Sequence, residues 1–135
     1  MTDSEKTLLL SDLCARLPYG VQFESYGIAG SVHRLYDIGY GGSELNEPII
    51  NHGYGISEIK PYLRRMSSMT ENEKTELYRE CHTVLLTKNE RECEMVAVPN
   101  AVLVSDWFNR HHIDHHALIE KGLAMEAPEY MYKNF

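Results

Sequence analysis

Near the start of the chain the apolar residues change their spacing abruptly, and that change limits the fold more than any other feature. Leu9, Leu10, Leu13, Cys14 and Leu17 recur at three- and four-residue intervals, which predicts an amphipathic helix over 4–17. Thr2 and Glu5 have capping-box spacing at its start, with Ser4 as a competing cap. Pro18 disfavours helical geometry at Leu17, and Gly20 completes the stop. From Val21 the period is two. Val21, Phe23 and Ser25 share one side against Gln22, Glu24 and Tyr26; past a turn at 27–30, Val32, Arg34, Tyr36 and Ile38 alternate with His33, Leu35 and Asp37. A helix handing over to a β-hairpin predicts an α+β fold.

The rest of the chain extends that plan. Gly39, Gly41 and Gly42 mark a loop, and 47–56 reads as a third strand that Pro48 and two glycines confine to an edge or break. Residues 57–69 read as a connector with a short helical turn. Thr70 and Glu73 form a second capping box, followed by the helical stripe Leu77, Tyr78, Cys81, Val84 and Leu85. Residues 88–94 read as a solvated loop and 95–98 as a short strand. A third helix carries Val104, Trp107, Phe108 and His111, its start falling between Asn100 and Ser105. A short helix at 117–123 precedes an aromatic tail with Tyr130, Tyr132 and Phe135. The expectation is one compact domain over 1–135. It has a small antiparallel sheet of about three strands with one aromatic face, an N-terminal helix and two to three C-terminal helices.

Composition bounds the function. A length of 135 residues suits a single domain, and 43% hydrophobic with 24% charged residues is ordinary for a soluble globular chain. Twenty acids against 13 Lys plus Arg give a charge of −7, so there is no general electrostatic reason to bind duplex nucleic acid. No apolar run is long enough to span a bilayer, and acids stand where a secretory leader would be basic. Cys14, Cys81 and Cys93 are odd in number with no CxxC pair, which points to free thiols in a reducing cytoplasm. Cys14 and Cys81 fall on apolar helix faces and are expected to pack in the core.

One stretch is locally basic. Lys60, Tyr62, Arg64, Arg65, Ser67, Ser68 and Thr70 run into a helix N-terminus, where guanidinium groups, hydroxyls and free N–H donors together suit a small phosphate-bearing ligand. Tyr62 and Trp107 are the rings expected to stack on a base. No Gly-rich phosphate loop accompanies them, which excludes a nucleoside triphosphatase of that kind. The plainer reading is that Ser67, Ser68 and Thr70 cap a helix while the arginines pair with acids.

The densest cluster of titratable groups is Arg110-His111-His112-Ile113-Asp114-His115-His116. His111, His112, Asp114 and His115 are candidate ligands for zinc or another divalent metal in a hydrolase. On a continuous helix, His111 with His115 and His112 with His116 form i, i+4 pairs. Read as extended, His112-x-Asp114-His115 resembles part of the metallo-β-lactamase ligand pattern, with Arg110 in place of its first histidine. The plainer reading is a helix end whose histidines meet the negative pole of the dipole, with Asp114 capping the next turn. No nucleophile elbow accompanies any Ser, Cys or His.

The strings DLCARLPYGV (12–21), EIKPYLRRMSSMT (58–70) and DWFNRHHIDHHALIEKGLAMEAPEYMY (106–132) resemble a family of small uncharacterised proteins of Bacteroidales phages and prophages. In that family His111, His112 and Asp114 are typical, while Tyr and Arg are usual at the positions of His115 and His116. The resemblance implies a phage origin and action in the host-cell cytoplasm. By analogy of origin and size, it suggests an anti-defence protein that sequesters a nucleotide immune signal without catalysis. A protein–protein inhibitor or virion accessory module that meets a host protein through Tyr130, Tyr132 and Phe135 is the competing expectation. Homo-oligomerisation stays open.

Overall fold

The computed structural model describes residues 1–26, 31–40, 47–82 and 101–132. Helix α1 (Asp3–Arg16) begins as expected: Thr2 Oγ1 accepts the Glu5 N–H, and the Glu5 carboxylate accepts the Thr2 N–H. Its buried face differs from the apolar stripe. Leu9 and Leu13 are buried, but so are Asp12 and Arg16, while Cys14 faces solvent. The expectation of a core Cys14 fails because Asp12 and Arg16, four apart, pair with each other and go in as a unit. Pro18 lies in a 3-10 turn, and Gly20 leaves it at a φ of 63°.

Strands β1 (Gln22–Ser25) and β2 (Val32–Arg34) form the expected hairpin, with Phe23 opposite His33. The second arm stops at Arg34, because Leu35 turns into the core and the chain crosses to a second sheet. Asn51 bridges that crossing: its Oδ1 accepts the Tyr36 and Asp37 N–H groups and its amide donates to the Arg34 carbonyl. Strands β3 (Ile38–Tyr40), β4 (Pro48–Ile50) and β5 (Tyr54–Gly55) make the second, antiparallel sheet. The 47–56 segment is therefore a broken strand. Phe23, His33, Tyr54 and Tyr26 form a chain of ring contacts across this region.

The largest departure is β6 (Ile59–Leu63), a central strand where the sequence suggested a connector. It pairs antiparallel with β1 and parallel with β7 (Met125–Glu126), giving the order β2-β1-β6-β7. Pro61 cannot donate to a ladder, which counts against a place in a central strand. Here it sits opposite Phe23 in a segment that is buried except at Lys60. Burial of Ile59, Tyr62 and Leu63 outweighs the missing donor.

Helix α2 (Glu71–His82) starts at the predicted Thr70–Glu73 capping box and buries Cys81. Helix α3 (Ala101–Arg110) buries Trp107, Phe108 and Asn109. Trp107, Phe108 and Ile113 form a second apolar cluster with Met69, Leu77 and Val104. Residues 117–123 form turns rather than the expected helix. Ala117 and Gly122 take positive φ, 56° and 75°, and the Asp114 carboxylate accepts the Leu118 and Ile119 N–H groups. Tyr132 is buried, not part of an exposed tail. The readings of Val84, Leu85, Cys93, 88–94, 95–98 and Phe135 fall outside the described residues. Among the described residues no helix is long and apolar enough to cross a membrane.

Candidate functional site

Where β6 ends, the chain runs beside the segment that leaves α3. The Arg64 N–H donates to the His112 carbonyl at 2.7 Å, and the Asp114 N–H donates to the Arg64 carbonyl at 2.8 Å. A 3-10 turn at Met66–Ser68 then leads to α2. This path wraps Arg64, Arg65, Ser67, Ser68 and Thr70 around one cavity of about 570 Å³. Glu73, Glu126, Glu129 and Tyr132 line it as well. Five of the eight residues singled out as ligand-binding thus share one wall; Lys60, Tyr62 and Trp107 do not.

The two arginines differ in what they are free to do. Arg64 forms a two-pronged pair with Glu73, at 2.8 and 2.7 Å, and gives its other hydrogen bonds to Ser68 and the His111 carbonyl. Both side chains are less than a fifth exposed. The Arg64 hydrogen bonds hold the Glu73 carboxyl down at about 2; burial opposes them and the Thr70 N–H helps. Arg64 is a structural cation. Arg65 instead pairs with Glu126 at 2.5 Å and Glu120 at 2.9 Å, through side chains that are half exposed. Such surface pairs contribute little and exchange partners readily. Facing the cavity, two cations meet three carboxylates, a local balance the basic sequence stretch concealed.

The expected stacking rings are engaged elsewhere. Trp107 is fully buried, stacked on His111 at 3.9 Å, and its indole N–H donates to Glu76. Tyr62 is buried and donates to Glu24; burial raises its pKa, with the Glu24 hydrogen bond reinforcing. Lys60 is exposed on β6. The ring at the cavity is Tyr132, from the segment assigned to a tail. It stacks on His112 at 3.8 Å, donates to the Tyr62 carbonyl and accepts the Gln22 N–H.

The histidine cluster does not act as a unit, because α3 ends at Arg110 and the backbone bends at His112, whose φ is 62°. Arg110 reaches Glu80 on α2. His111 lies near Glu73 and Glu76, and burial lowers its pKa. His112 is buried, which pushes its pKa down to about 3, with Arg16 adding to the effect. Asp114 spends both oxygens on backbone N–H groups. His115 rests on Phe108 and Asn109, and burial takes its pKa to about 4. The four predicted metal ligands therefore point to separate partners. A different set converges: Asp12, His115 and His116. Sequence reasoning missed Asp12, whose one signal was its i, i+4 spacing to Arg16. Comparison with protein-family models, curated proteins and solved structures finds no match.

Proposed function

We propose that this protein binds a small phosphate-bearing ligand without catalysis, in the cavity beside Arg65. The observation that carries the reading is the shared wall formed by Arg64, Arg65, Ser67, Ser68 and Thr70. Arg65 is the phosphate anchor, since its exposed partners Glu126 and Glu120 can be displaced by a phosphate that offers the guanidinium a planar pair of oxygens. Ser67 stands beside it as a hydroxyl donor, while the Ser68 hydroxyl donates to the Arg65 carbonyl and steadies the turn.

The acids of the cavity refine the ligand. Glu126 and Glu129 repel a long polyanion but accept hydrogen bonds from ribose hydroxyls or a base amino group. That combination favours a nucleotide over free phosphate. Joined to the resemblance to phage proteins, it supports sequestration of a nucleotide immune signal in the host cytoplasm.

The test is thermal unfolding of the untagged protein with a panel of cyclic dinucleotides and cyclic ADP-ribose isomers. At least one is expected to raise the melting temperature, and Arg65→Ala to remove the rise. No shift with any member of the panel would overturn the reading.

A further inference from the structure

Asp12 lies on the buried face of α1, fully shielded from solvent. Its Oδ1 accepts the Arg16 Nε–H at 2.6 Å and its Oδ2 the Arg16 Nη2–H at 3.2 Å, which fixes the carboxylate, and Oδ2 also lies 2.8 Å from Nδ1 of His116. A carboxylate only accepts, so at that separation the His116 Nδ1–H donates to Asp12, and a metal bound there would take the place of that proton. The rings of His115 and His116 lie 4.0 Å apart, centroid to centroid. His115 is held by Phe108 on its face and by Asn109, whose Oδ1 lies 2.9 Å from its Nε2. With Nε2–H donated to Asn109, Nδ1 carries the lone pair.

We propose that Asp12, His115 and His116 form a binding site for one divalent transition metal of the zinc class. One ligand atom from each residue falls within 4.8 Å of the other two. Reaching the roughly 3–3.5 Å separation of zinc ligands takes a movement of the imidazoles that opens the Asp12–His116 pair from 2.8 Å and draws in any wider pair. His116 is free to make it, its side chain being 39% exposed. Asn109 plays the part that an outer carbonyl commonly plays for a metal-bound histidine, setting tautomer and orientation. Two imidazoles and one carboxylate favour zinc, cobalt or nickel over magnesium and calcium. Arg16 strengthens that preference, because it already offsets the Asp12 charge that a hard cation would need. Three protein ligands leave coordination positions open, and His115 also lines a second cavity of about 290 Å³. The site stands apart from the phosphate reading and survives its failure.

The test is equilibrium dialysis of untagged protein against zinc, with cobalt absorbance as a second readout. Close to one equivalent of zinc is expected to bind at about 10 µM free metal. His115→Ala and His116→Ala are each expected to weaken binding by about tenfold or more, while His111→Ala binds as wild type. Magnesium and calcium are expected not to compete. His116 is exposed enough for its alanine variant to keep the fold, which circular dichroism checks. Less than about a tenth of an equivalent of zinc in the wild type would refute the site. So would wild-type affinity in both His115→Ala and His116→Ala.

Discussion

Glu73 joins the cap of α2 to the wall of the cavity, and Glu73→Gln separates its charge from its shape. In the wild type, Oε1 accepts from the Thr70 N–H at 2.9 Å and from Arg64 at 2.7 Å, while Oε2 accepts from Arg64 at 2.8 Å. Glutamine keeps one acceptor for the cap and loses the ion pair. The fall of the Glu73 carboxyl from 4.5 to about 2 sets a ceiling near 3 kcal/mol, at about 1.4 kcal/mol per pH unit. Solvent reaches part of the pair, so Glu73→Gln is expected to lose about 1–2 kcal/mol at neutral pH. Glu73→Ala also forfeits the cap and is expected to lose about 1 kcal/mol more. The folded value lies below the unfolded one. The stabilisation is therefore complete above about 4.5 and disappears as the pH falls through about 2. Urea unfolding of both proteins across that window is the assay. His112 and His115, held neutral by burial, also withdraw stability in acid, but equally from both proteins, so they cancel in the difference. His111, 3.9 Å from Glu73, instead adds to the deficit of the glutamine variant where it is protonated and Glu73 still charged. A glutamine variant as stable as wild type at neutral pH would refute the reasoning, as would a deficit that persists undiminished near pH 2.

Other expectations test the neighbouring elements. Asp12→Ala strands the fully buried Arg16 and is expected to cost about 3–5 kcal/mol in denaturant unfolding. Asp114→Ala leaves the Leu118 and Ile119 N–H groups without their acceptor and is expected to cost about 1–3 kcal/mol, read by thermal unfolding. Gly20→Ala forces a side chain into a φ of 63° and is expected to cost about 1 kcal/mol by urea titration. Arg65→Ala, by contrast, is expected to leave the unfolding midpoint unchanged, since its partners are exposed surface carboxylates.

Local signals settled the parts of the molecule that depend on a few adjacent residues. Both capping boxes, at Thr2–Glu5 and Thr70–Glu73, form as their spacing predicts, because each needs only one turn of backbone. The first hairpin and the α+β class follow from the switch of apolar period. The convergence of Arg64, Arg65, Ser67, Ser68 and Thr70 was legible for the same reason: they are neighbours along one turn.

What the chain does at longer range was decided by tertiary packing. Ile59–Leu63 becomes a central strand despite Pro61, because strands on both sides bury it, and neither partner is visible from inside the segment. The arginines lose their apparent freedom to Glu73, Glu120 and Glu126, of which the last two lie more than fifty residues away. The histidines scatter because the backbone bends at His112, so adjacency in sequence gives them different neighbours. Asp12 and His116 meet across 104 positions. Sequence spacing determines contacts within a turn of helix or a pair of strands. Whether a charged or ligating group is free or already paired depends on the far segment folded against it.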